Sequence, residues 1–66
     1  MEKTVTITKD MEVPLILALD AGKRATEELR QFAAARGKEE VALMYEEEIR
    51  AMDQILELVR RAEWKD

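Results

Sequence analysis

From Leu15 onward, apolar residues recur at spacings of three and four on both sides of a single glycine, Gly37, and this pattern leaves the chain few folds to choose from. Before the glycine the series is Leu15, Ala18, Gly22, Ala25, Leu29 and Phe32; after it, Ala42, Tyr45, Ile49, Met52, Leu56 and Val59. Such spacing sets one residue per turn on one side of a helix. Glycine ends helices because it enters the left-handed backbone region without strain. The pattern therefore predicts helix 1 over about 11–36, a turn at 37 and helix 2 over about 38–63. Asp10 is placed to cap the first helix, Pro14 suits its first turn, and Arg36 lies near its last. Glu39 and Glu40 suit the N-terminus of the second.

Folding back at Gly37 brings positions that sum to roughly 74 face to face, by antiparallel geometry. Gly22 then meets Met52, Ala25 meets Ile49, and Leu29 meets Tyr45. Small residues oppose large ones, which gives Gly22 a packing role despite the ~1 kcal/mol that glycine costs inside a helix.

Residues 3–9 obey a different period. Thr4, Thr6 and Thr8 alternate with Val5 and Ile7, a run of β-branched residues that predicts a short N-terminal strand. The expected fold class is mainly α: one domain over 1–66, with a strand followed by an antiparallel helical hairpin.

Apolar surface exceeds what one hairpin can bury. Helix 2 carries a second stripe of Val41, Met44, Ala51, Ile55, Leu58 and Ala62, interrupted by Glu48, and helix 1 is apolar nearly all round from Val13 to Leu19. A chain of 66 residues is also small for independent folding, and with no cysteine and no histidine it lacks disulfides and the usual structural metal sites. These features predict a homodimer or higher oligomer forming a helix bundle, with Val5, Ile7, Leu17, Val41, Met44, Ile55 and Leu58 at the interface.

The residue inventory argues against catalysis. Histidine, cysteine and serine are all missing, so imidazole bases, thiolates and serine nucleophiles are excluded, and two glycines as far apart as Gly22 and Gly37 make no phosphate-cradling loop. The chain is read as non-enzymatic and without cofactor. A net charge of −4 argues against general affinity for nucleic acid or anionic membrane. The longest apolar run, Val13 to Leu19, falls far short of the ~20 residues that cross a bilayer. With no basic region and cleavage site of a signal peptide, cytoplasmic location is the default.

Three constellations are candidates for function. Arg60, Arg61, Trp64 and Lys65 combine cationic charge with an indole and suit a flat anionic ligand such as a nucleotide; the alternative is that Trp64 packs over the bundle end against Met11. Arg36 and Lys38 flank the turn and are candidates for holding an anion at the second helix N-terminus. Glu39, Glu40, Glu46, Glu47 and Glu48 are read as a solvated acidic face, with Glu46 paired to Arg50 and Glu48 reaching Arg30 or another chain.

Lys3, Thr4, Thr6, Thr8 and Lys9, on a strand followed by two helices, resemble the ribbon-helix-helix repressors, in which paired strands of a dimer read the major groove. That resemblance implies a DNA-binding regulator, the alternative reading. As a whole, the Thr-rich start, the single Gly turn, the Tyr45-Glu46-Glu47-Glu48-Ile49 run and the Leu-rich second helix resemble small orphan proteins of phages and mobile elements in Gram-positive bacteria. That likeness implies an oligomeric module that blocks a host protein or sequesters a small anionic ligand. A structural assembly protein without ligand is the third reading.

Overall fold

The computed structural model describes residues 2–64. Residues 2–8 form no regular element, a short 3₁₀ turn spans Lys9–Met11, and two helices follow: α1, Glu12–Ala35, and α2, Glu39–Arg61. The helices pack along their lengths as an antiparallel hairpin.

The reversal follows from the backbone at Gly37, which has φ of 75°. The Lys38 amide donates to the Ala33 carbonyl at 2.9 Å and the Gly37 amide to the Ala34 carbonyl at 3.1 Å, the double bond pattern that closes a helix when its C′ residue is left-handed. The first bond of α2 starts at once, with the Ala42 amide donating to the Lys38 carbonyl at 3.0 Å. The turn thus wastes almost no chain, and the helices must lie side by side.

The N-terminal strand is not formed: among the described residues there is no strand, and 2–8 are exposed. Alternating β-branched residues favour extended backbone, and Thr8 has it, with φ −101° and ψ 162°. A ladder additionally needs a neighbouring backbone to exchange hydrogen bonds, and one hairpin of helices offers none. The capping expectation fails nearby. Asp10 accepts the Thr8 hydroxyl within the 3₁₀ turn, and the N-cap of α1 is Met11, without a side-chain cap. The Thr8 bond, then the backbone amide of Asp10 itself, holds that carboxyl below its ordinary value.

On α2 the residues against α1 are those the spacing marks. Ala42, Leu56 and Val59 are buried, and Tyr45, Ile49 and Met52 are half-buried between them. On α1 the inward face differs from the expected stripe. It consists of Leu15, Ile16, Leu19, Gly22, Lys23, Thr26, Arg30 and Ala33, whereas Ala18, Ala25, Leu29 and Phe32 are exposed. At about 100° per residue, the apolar stripe of α1 is rotated by about 80° from the side that meets α2. Lys23 and Arg30 occupy the seam because their long stems cover apolar surface while their charged heads reach carboxylates on its edge. The core is correspondingly thin: among the described residues Ala33, Ala42, Leu56 and Val59 are the buried ones.

Gly22 and Met52 do meet. A Cβ built on Gly22 would lie 3.1 Å from the Met52 sulfur.

Candidate functional site: an apolar face opposite an ion-paired face

The two broad sides of the hairpin differ in chemistry. One is tied by ion pairs across the seam: Lys23 meets Asp53, and Arg30 lies 3.7 Å from Glu46. Arg30 also donates from Nε to Glu27 at 2.9 Å. This bond is the main reason that the Glu27 carboxyl lies below its ordinary value and the Arg30 guanidinium above its own. Asp20, Lys23, Arg24, Glu27, Glu28, Ile49 and Asp53 line a shallow open groove on this side. Cations and carboxylates alternate there, so it favours no ligand of one charge.

The opposite side is apolar. Helical phase sets Ala18, Ala21, Ala25, Leu29 and Phe32 of α1 within an arc of about 80°, turned from the α2 seam toward one side. The stripe of Val41, Met44, Ala51, Ile55 and Leu58 turns from its own seam toward that same side, because two antiparallel right-handed helices run their angles in opposite senses. Both stripes therefore form one continuous face. Phe32 is 57% exposed, Leu58 is 70% exposed, and Leu29, Met44 and Ile55 are each more than two-fifths exposed. At the open end Ile7 of the N-terminal arm joins Ile55, Leu58, Val59, Ala62 and Trp64 around an apolar recess. At the turn end the Arg36 guanidinium stacks 4.0 Å above the Phe32 ring and rims the face with charge.

Of the residues marked as an interface from sequence, Val5, Ile7, Leu17, Val41, Met44, Ile55 and Leu58 are all exposed large apolar side chains. Met44, Ile55 and Leu58 fall on the shared face, with Val41 at its turn end and Ile7 at the other. Leu29 and Phe32, which their spacing places in the hairpin core, belong to this face instead. Their equally regular spacing was the signal, and nothing in that spacing says which of two helices they will face.

The marked cationic residues do not converge within one chain. Arg36 and Lys38 lie at the turn, while Arg60 and Arg61 lie at the far end of α2, about 33 Å away at 1.5 Å per residue. Arg61 pairs with Glu57 at 2.9 Å. Trp64 sits half-buried with Ile7 in the recess, while Met11, its expected neighbour, is exposed. The indole nitrogen of Trp64 is buried without a hydrogen-bond partner. Lys65 lies outside the described residues. Among the described residues no ion pair joins Glu46 to Arg50, and Glu48 is exposed; Arg30 takes Glu27 and Glu46 instead. Lys3, Thr4, Thr6, Thr8 and Lys9 lie in the N-terminal arm and the turn after it, so the element that a ribbon-type DNA reader would insert is not formed. Among the described residues no group of three His, Cys, Asp or Glu is arranged to hold a metal ion, and no helix is long and apolar enough to cross a membrane.

No protein-family model matches the sequence, and neither a curated protein nor a solved structure matches it.

Proposed function

We propose that the chain is a non-enzymatic binding module whose working surface is the apolar face of the hairpin. One observation carries this reading: two independent stripes, one per helix, turn to the same side, while the cross-seam ion pairs all lie on the other. Contiguous apolar surface rimmed by charge marks association sites in soluble proteins, because leaving it in water costs about 25 cal/mol per Å². Blocking a partner protein needs no chemistry beyond such a surface.

The test is a titration with an environment-sensitive apolar dye alongside light-scattering mass. The reading requires either a mass above the 7.7 kDa of one chain or saturable dye binding that Leu29→Glu with Ile55→Glu abolishes. A monomer that binds no dye refutes it.

A further inference from the structure

We infer that the apolar face is the interface of a homodimer, covered by the same face of a second copy packed with its turn at the opposite end. This rests on the reading above and names the occupant of the surface. The molecule measures 50 × 27 × 14 Å, and its smallest dimension is that of a single layer of helices, which are about 10–12 Å across. Domains need two layers to enclose a core. The radius of gyration, 14.6 Å, likewise exceeds the roughly 11 Å of a compact chain of this length.

The accessible surface is 5822 Å², whereas a folded monomer of this mass exposes about 4,300 Å². The excess of about 1,500 Å², shared between the face and the N-terminal arm, compares with the roughly 800 Å² per partner that stable interfaces bury. The missing burial is thus of the size that one further protein surface supplies.

The order of side-chain sizes along α1 selects a copy of this chain as the occupant. On α1 the small residues Ala18, Ala21 and Ala25 occupy the half toward the N-terminus, and the large residues Leu29 and Phe32 occupy the half toward the turn. When α1 packs antiparallel on α1 of a second copy about Ala25, positions summing to 50 meet. Phe32 falls against Ala18, Leu29 against Ala21, and Ala25 against itself. Large side chains thereby meet small ones at both ends of the α1 seam, and the two backbones approach closely at Ala25. On α2 the same rotation brings Met44 level with Ile55 and Val41 level with Leu58. Glu48, the one charge in that stripe, comes level with the small side chain of Ala51. With the turns at the same end, α1 would instead lie over α2 of the second copy, stacking Leu29 and Phe32 on Met44 and Val41, large on large.

The chain has no cysteine, so introduced thiols report without background. In the otherwise unmodified protein, light scattering at micromolar concentration is expected to give twice 7.7 kDa. Ala25→Cys is expected to form a disulfide dimer under mild oxidation with helicity retained, while Arg24→Cys, one position round the helix, is not. A mixture of Ala18→Cys and Phe32→Cys is expected to cross-link to each other and not each to itself. Phe32→Cys that links only to itself overturns the opposite-end arrangement. A mass of three or more chains overturns the two-chain assembly. A monomer that binds the apolar dye overturns self-association while leaving the binding face intact, and a monomer that binds no dye overturns both.

Discussion

Substitution of Gly22 tests the hairpin register most sharply, because two physical effects of known sign oppose each other there. Helix propensity alone favours any replacement: alanine gains up to about 1 kcal/mol over glycine in a helix interior. Packing resists it, since the new Cβ would lie 3.1 Å from the Met52 sulfur, inside ordinary contact distance. A shift of a few tenths of an ångström relieves that contact, and methionine is a flexible neighbour. Gly22→Ala should therefore be mildly stabilising, by about 0.5 kcal/mol after part of the propensity gain is lost. Gly22→Leu gains a similar propensity but drives three further carbons into the seam, and overpacking of this kind costs about 1–3 kcal/mol. Removing the opposing side chain with Met52→Ala should make the leucine tolerable, giving a coupling of about 1 kcal/mol or more in the double-mutant cycle. Urea denaturation followed by helical circular dichroism at fixed protein concentration reads all four proteins. A Gly22→Leu variant that gains stability, or a cycle with no coupling, refutes the pairing of these positions.

Gly37→Ala should cost about 1–2 kcal/mol, since no relief of crowding offsets the left-handed φ of 75°; urea melts check this. Asp53→Asn removes the carboxylate from a partly exposed pair with Lys23 and should cost no more than about 0.2–1 kcal/mol, shrinking with added salt. The Glu27 carboxyl is lowered in the folded chain, so its contribution is present above the ordinary glutamate value and disappears as pH falls through the lowered one. Glu27→Gln should accordingly flatten the stability profile on the acid side of the ordinary glutamate value relative to the unsubstituted protein, read as urea midpoints at each pH.

Much of this molecule was determined locally and is legible in the sequence. The two helices, the reversal at Gly37, the inward stripe of α2 and the meeting of Gly22 with Met52 all follow from periodicity and from the one residue that enters the left-handed region cheaply. Boundaries shifted by a residue or two at most positions, as helix ends do when caps compete. The orientation of α1 was a tertiary matter. Leu29 and Phe32 are as regularly spaced as Leu56 and Val59, yet they face away from α2, because Lys23 and Arg30 fill the seam with their stems and settle their charges against Asp53, Glu46 and Glu27. A reading by hydropathy excludes those two residues from a core, and only the packed pair of helices shows that half of such a side chain belongs in one. The N-terminal arm makes the complementary point. Its alternation specifies extended backbone, which Thr8 has, but pairing is a property of two backbones, and within one hairpin of helices the second is missing.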